Sequence, residues 1–457
     1  MKTLAVLLGL FATACSVGPD FHRPDNRLPG RWSHDKNQTS AAAKPADLAR
    51  WWRRFHDPKL NWLVEQAVSV NLDVQQAVAR LSQARAQRQA AVASFWPWLS
   101  SSASEQESHS GGAGGGYNRS YHGGLGVAWE LDLFGGKRRN HESADARVAA
   151  VAADLDATRL SMAAEVALTY CQLRSIQDQI SVASRNLATQ KDSAQITRDR
   201  RGAGFASDLD VANAAALVAN TKAAIPRLET AAIQSAHAIS VMLDRPPGEL
   251  VGMLSDSRPV PTVTTTVPVG IPSDLLRRRP DIRSAEANAH AATAGIGVAV
   301  ADLFPKFSLT GSVNQQSAKL SDWLSPASRV GTYGPSFNWA LFQGGNLQAN
   351  IRVQKALRDQ AVLAYRKTVL VALQEVEDAM VASSNDRKRH AALAEAVSSN
   401  RTAVDLSLKL YAVGQSDFLN VLNAQRSLLQ SESEYSQSNL ALASDCIALY
   451  KALGGGW

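Results

Sequence analysis

Gly204-Phe205-Ala206-Ser207-Asp208-Leu209-Asp210-Val211-Ala212-Asn213-Ala214 returns 210 residues later as Gly414-Gln415-Ser416-Asp417-Phe418-Leu419-Asn420-Val421-Leu422-Asn423-Ala424. Gly, Leu, Val, Asn and Ala coincide, and the register holds downstream. Val211, Val218, Ile225, Ala232 and Ile239 are spaced by seven, and so are Val421, Leu428, Tyr435, Leu442 and Leu449. A heptad seam duplicated in register marks an internal repeat, and a repeat decides the fold before any single element does. Each unit reads as a helix, a strand pair and a long helical hairpin.

Working outward, a first helix is expected from about Pro58 to Ser94, stopping before Trp96-Pro97. Two strand-like stretches flank the loop Gly111-Gly112-Ala113-Gly114-Gly115-Gly116. In the second, Leu125, Val127, Trp129, Leu131 and Leu133 alternate with Gly126, Ala128, Glu130 and Asp132. Period two, apolar on one side and small or acidic on the other, fits a barrel strand with a wet lumen, which Glu130 and Asp132 would face. Gly135-Gly136 closes the strand, and a helix runs from about Lys137 to Arg201. Its seam is Val166, Leu173, Ile180, Leu187 and Ala194, and at 1.5 Å per residue it reaches about 95 Å. After Gly202-Ala203-Gly204 the return helix carries the Val211 seam, with a kink expected at Pro226.

The second unit restarts the pattern. A helix from about Asp281 leads to Leu303-Phe304-Pro305, the counterpart of Phe95-Trp96-Pro97. Phe307, Leu309 and Val313 alternate with Ser308, Thr310, Ser312 and Asn314; Tyr333, Phe337, Trp339 and Leu341 alternate with Gly334, Ser336, Asn338 and Ala340. Gly344-Gly345 precedes another long helix with Val362, Val369 and Val376 on one seam. The division is therefore 1–14 signal, 15–57 tether, 58–243 first repeat, 244–272 proline-rich connector and 273–457 second repeat.

Composition excludes several classes. The formal charge is +7, but the basic residues are scattered, and Arg387-Lys388-Arg389 is a solvated helix face, so nucleic acid is not a partner. Gly136-Lys137 is a strand-to-helix turn and not a phosphate loop, because Leu131 and Arg138 stand where that motif needs Gly and Ser/Thr. The nine histidines hold no metal-spaced pair, and His109 and His122 read as surface loop residues. No enzyme, metal or cofactor is expected. Cys171 and Cys446 lie at similar distances from their hairpin tips, which leaves a disulfide between them open, and the favoured reading is two buried thiols.

Cys15 differs. Met1-Lys2-Thr3, the apolar run Leu4 to Phe11 and the small residues Ala12-Thr13-Ala14 form a secretory signal too short to span a bilayer. A Cys placed directly after it is a lipidation site, so a covalent lipid on Cys15 is the sole prosthetic group expected. No other segment has eighteen consecutive apolar residues, so any membrane crossing uses strands.

Four half-greasy strands cannot close a barrel, and an open edge in lipid leaves unpaired backbone groups. Three copies give twelve strands and a homotrimer. The expected fold is mainly α with a small β-barrel contribution: a trimeric 12-stranded outer-membrane barrel continuous with a long periplasmic coiled-coil barrel.

Several motifs carry a family resemblance. Cys15-Ser16-Val17-Gly18-Pro19-Asp20-Phe21, Trp51-Trp52-x-x-Phe55-x-Asp57-Pro58-x-Leu60, Leu243-Asp244-Arg245-Pro246-Pro247-Gly248, Leu275-Leu276-Arg277-Arg278-Arg279-Pro280-Asp281-Ile282 and Leu303-Phe304-Pro305 follow one another in order. The chain resembles the outer membrane factor family, the TolC-like export channels, and within it the lipoproteins of the NodT/OprM branch. The resemblance implies an outer-membrane exit duct docked through a periplasmic adaptor to an inner-membrane pump, exporting drugs, other toxic compounds or metal ions. The alternatives are a pore-free coiled-coil envelope lipoprotein and a protein-secretion channel. Alternating strands argue against the first, since a spacer needs no lumen.

Two further expectations concern the hairpin tips. Docking is expected at Arg200 to Ser207 and Tyr411 to Asp417, involving Arg201, Gly202, Gly204, Ser207, Gly414 and Ser416, with small neighbours and little apolar bulk. TolC-like channels line their periplasmic constriction with acidic residues of the final helix. The match at Tyr411-x-x-Gly414 puts those positions at Asn420 and Asn423. An acidic ring is therefore expected from Asp210, helped by Asp208 or Asp417. The competing reading is that Asp210 caps its helix or pairs with Arg200 or Arg201.

Overall fold

The computed structural model describes residues 16–25, 28–34, 49–111, 115–262 and 269–455. Cys15 and the signal segment lie outside the described residues. In chain order the elements are α1 (Pro58–Val70), α2 (Leu72–Ala93), β1 (Trp98–His109), β2 (Tyr117–Leu131), α3 (Gly136–Gly202), α4 (Asp208–Met242), the short α5 (Val251–Leu254) and α6 (Leu275–Arg278), α7 (Pro280–Ala301), β3 (Lys306–Ser317), β4 (Arg329–Asn338), α8 (Asn346–Ala412) and α9 (Phe418–Ala452). The helices match in pairs: α2 and α7 have 22 residues each, α3 and α8 have 67, and α4 and α9 have 35. A 67-residue helix is about 100 Å long.

Several expectations need correction: Leu133 falls past the end of β2, Trp339 and Leu341 fall past the end of β4, and His109 and His122 lie within β1 and β2 instead of the loop. The first helix is two helices, because Asn71 leaves helical geometry (φ −59, ψ 137). Its Oδ1 accepts from the amides of Asp73 and Val74 and so starts α2, while its Nδ2 donates to the Met242 carbonyl. Asp132 stands just past the end of β2 instead of on the strand. Its two oxygens accept from the amides of Lys137 and Arg138 and from Arg138 Nε, which satisfies the first turn of α3. Pro226 lies within α4 without ending it.

The chain divides into two compact units that cut across the sequence repeats. One combines Ala79–Ala152, Ser284–Lys367 and the described residues 16–25; the other combines Arg27–Val78, Ala153–Arg283 and Thr368–Trp457. The first holds one antiparallel sheet in the order β1-β2-β3-β4. The register pairs Leu99 with Val127, Leu125 with Val313, Trp129 with Leu309 and Phe307 with Phe337. These residues share one face. Leu99, Leu125, Val127, Trp129, Leu309, Val313 and Phe337 are 38 to 71% exposed, whereas Gly126, Ala128 and Glu130 on the other face are half-buried. Equivalent bonds tie each strand pair to the chain just before it: Trp129 Nε1 donates to the Phe95 carbonyl at 2.8 Å, and Trp339 Nε1 to the Leu303 carbonyl at 3.0 Å.

In the second unit Trp51, Trp52 and Phe55 form a buried 3-10 turn, with Trp51 stacked on Tyr450 at 5.5 Å. Asp57 caps α1 through the amides of Lys59 and Leu60 and accepts from Tyr170 Oη at 2.7 Å. Arg279 is bound bidentately by Asp281 and also reaches Glu375 and the Ala452 carbonyl. Cys171 and Cys446 are free thiols, and burial pushes each up to about 12.

Candidate functional site

Three regions are candidates for function: the sheet, the hairpin tips and a polar seam on α3. On the sheet, Glu130 lies on the face opposite the apolar row. Lys137, the would-be phosphate lysine, donates Nζ to the carbonyls of Ser94 and Glu130 and starts α3. His109 packs on Tyr117 with ring centroids 4.6 Å apart and planes tilted by 33°, and His122 bonds Ser120, so the two histidines serve different neighbours.

Both hairpins turn through a left-handed glycine, Gly204 at φ 82 and Gly414 at φ 78. The turn geometry is the same: Phe205 N donates to Arg200 O at 2.8 Å and Gln415 N to Leu410 O at 2.9 Å. A 6→1 bond with glycine at the left-handed position satisfies orphan carbonyls at the end of each long helix. The two tips meet in one apolar cluster of Ala194, Ala214, Leu217, Tyr411, Phe418, Val421 and Leu422. Arg200 ties them as well. Its Nη1 donates to the carbonyls of Tyr411 (2.8 Å) and Ala412 (3.0 Å), and its guanidinium lies 4.8 Å from the Tyr411 ring centroid.

The acidic candidates separate here. Asp208 receives two bonds from Arg201 at 2.8 and 3.0 Å, and this pairing holds its carboxyl below the usual range. Asp210 forms a capping box with Ser207: each side chain accepts from the other residue's amide at 3.1 Å. Asp417 occupies the N-cap position of α9 but makes no side-chain cap bond. Asn420 Nδ2 donates to Ser416 Oγ at 3.0 Å, and Asn423 is exposed. Asp210 thus caps its helix, and the two arginines weighed as its partners go elsewhere, Arg201 to Asp208 and Arg200 to the carbonyls of Tyr411 and Ala412. Gly202 ends α3 with open space around it. The tips are also greasier than expected: Phe205, Leu209, Val413 and Leu419 are 73, 69, 69 and 58% exposed.

Above the tips, α3 buries Ala183, Asn186, Gln190, Ser193 and Thr197 at alternating spacings of three and four, so the seam is heptadic but polar. The heptad residues Ile180 and Leu187 are only half-buried beside it. Glu432 of α9 is 7% exposed and accepts from Asn186 Nδ2 (2.7 Å) and Arg401 (2.6 Å); Gln425 Nε2 donates to Ser193 Oγ at 2.6 Å. Sequence reasoning tracked apolar heptads and missed this line. The signal was present in the small polar residues one position away.

A sheet greasy on one face, attached to paired helices about 100 Å long, defines an outer-membrane channel subunit. The chain belongs to the outer membrane efflux protein family, which matches residues 63–244 and 271–455. It is similar to nodulation protein T of Rhizobium leguminosarum bv. viciae, with 34% identity over all of this chain and 94% of that one. It is also similar to the antibiotic efflux pump outer membrane protein ArpC of Pseudomonas putida, with 31% identity over 99% of this chain and 96% of that one. The solved outer-membrane channel OprN superposes with a TM-score of 0.88 and 39% identity, covering 97% of this chain and 100% of that one. The protein is an outer-membrane exit channel for efflux, extending into the periplasm, and not an enzyme.

Proposed function

We propose that three copies of this chain join edge to edge into a twelve-stranded barrel, and that their long helices line the passage feeding it from the periplasm. The observation that carries this reading is the four-stranded sheet with β1 and β4 as its edges and an exposed apolar face. In lipid each unpaired edge group costs several kcal/mol, and closure with other copies removes both edges at once. A pore-free spacer has no use for such a face. Twelve strands enclose a wet lumen, into which Glu130 would project.

The cargo is small toxic molecules, in keeping with the name of the antibiotic efflux relative. The tips dock a periplasmic adaptor that links the duct to an inner-membrane pump. Phe205, Leu209, Val413 and Leu419 supply the apolar contact, and the glycine turns at Gly204 and Gly414, flanked by Arg201, Gly202, Ser207 and Ser416, set its shape. Asp208 is offset by Arg201, so the fixed negative charge at the periplasmic aperture comes from Asp210 and Asp417, while Asn420 and Asn423 add none. Cys15 carries the lipid that anchors the chain beside its barrel. Native mass measurement after mild-detergent extraction tests the assembly. Three copies are expected, and a stable folded monomer would overturn it.

A further inference from the structure

The loop between β3 and β4 folds back over the lipid side of the sheet. Trp323 seats on Gly123 of β2: a side-chain carbon placed on that glycine would come within 2.5 Å of the indole ring. Gly123 is buried and belongs to the same alternate row as Leu125, Val127 and Trp129, so the ring covers the next position up on the apolar face. The loop holds its own shape. Ser328 Oγ donates to the Asp322 carbonyl at 2.6 Å, Ser317 Oγ to the Lys319 carbonyl at 2.9 Å, and the Ser325 amide to the Asp322 carbonyl at 3.0 Å. The Trp323 indole N–H is shielded and has no partner, so what seats the ring is apolar contact. On either side of it Leu320 and Leu324 stand 65 and 77% exposed. Lys319 and Arg329 flank them, also exposed.

We propose that this loop is an interfacial anchor whose occupant is the outer leaflet of the membrane. Leu320 and Leu324 enter the boundary between acyl chains and headgroups, and Lys319 and Arg329 lie at headgroup level. Two exposed leucines on a self-bonded loop are costly in water. They are favourable where the apolar belt of the barrel continues beneath them and cations sit above, the arrangement of an interfacial element. Gly123 is the enabling residue, because a side chain there would collide with the ring edge that now rests on the strand. The proposal rests on the barrel reading above, since it needs the Leu125 face to be in lipid.

The test uses the full-length protein reconstituted in phospholipid vesicles, with a fluorescent bimane on a single introduced cysteine at Leu324→Cys, Leu125→Cys or Gly111→Cys. Quenching by lipids brominated near the headgroup end of the chain is compared with quenching by iodide. Label at Leu324→Cys is expected to lose intensity to brominated lipid about as strongly as label at Leu125→Cys, and to be protected from iodide; label at Gly111→Cys behaves oppositely. Adding Gly123→Val is expected to unseat the loop and open Leu324→Cys to iodide while Leu125→Cys stays protected. If iodide quenches Leu324→Cys in the unaltered background, the anchor is refuted. If neither quencher reaches it, another copy covers the loop and the anchor is equally refuted. Loss of lipid quenching at Leu125→Cys would instead overturn the barrel reading.

Discussion

Replacing Arg200 by Ala should loosen the second hairpin tip while leaving the first intact. The guanidinium belongs to α3, but both of its hydrogen bonds go to carbonyls at the end of α8, Tyr411 at 2.8 Å and Ala412 at 3.0 Å. A hydrogen bond from a charged donor contributes about 1.5–3 kcal/mol when buried; discounted for the partial exposure of Arg200, about 1 kcal/mol each is a fair value. Stacking over the Tyr411 ring adds about 0.5 kcal/mol. The total, about 2–3 kcal/mol, corresponds to a roughly 30- to 150-fold rise in local opening of residues 409–415. Hydrogen exchange read by mass spectrometry on the assembled protein measures this directly. Arg200→Lys should fall between the two, since an ammonium can hold one carbonyl but cannot stack as a plane. Unchanged protection of residues 409–415 in Arg200→Ala would refute the idea that one side chain locks the tips together.

Gly204→Val and Gly414→Val place a β-branched residue at φ 82 and 78, costing about 1–2 kcal/mol of backbone strain although the space around each is nearly open. Drug resistance should fall in cells while the assembled channel, counted by native mass measurement, persists. In planar bilayers, Asp210→Asn with Asp417→Asn should lower cation selectivity. Asp208→Asn frees Arg201 and should lower it too, with no loss of thermal stability because the pair is exposed. The bond from Lys59 foremost lowers the Asp256 carboxyl to about 2 from 3.8, with help from Arg258. A depressed carboxyl stabilises the fold above its unfolded value and loses that contribution as pH falls through the folded value. Protection of residues 251–260, measured as exchange relative to the intrinsic chemical rate at each pH, should therefore fall between pH 3.8 and 2, and Asp256→Asn should abolish that fall.

The sequence made the long elements legible because they repeat and obey simple periods. The turn glycines Gly204 and Gly414, the period-two row at Leu125 to Leu131 and the paired long helices all stand where pattern puts them. Misplaced features depended on single polar atoms. Asn71 breaks a helix because its amide caps the next one, and Asp132 leaves the strand because two backbone amides need it. Both are local competitions between side chain and backbone that hydrophobic periodicity does not register. The resemblance motifs proved to be anchors. Trp51, Asp57 and Arg279 are tied to Tyr450, Tyr170 and Glu375, residues remote in sequence, so spacing alone could not say what they do. The tip acids were legible as residues and not as charges, since only coordinates show that Arg201 takes Asp208 and Ser207 takes Asp210.

Edge-strand cross-linking tests barrel closure most directly. A cysteine on β1 (Ala103→Cys) and one on β4 (Arg329→Cys) occupy the two edges of the sheet, separated within one chain by three strand spacings, about 14 Å. A short thiol cross-linker that cannot reach across that gap joins only different copies. In outer-membrane vesicles the double variant should give covalent dimers and trimers, with the ladder ending at three. Monomers alone, or a ladder running past three, would contradict the twelve-stranded barrel.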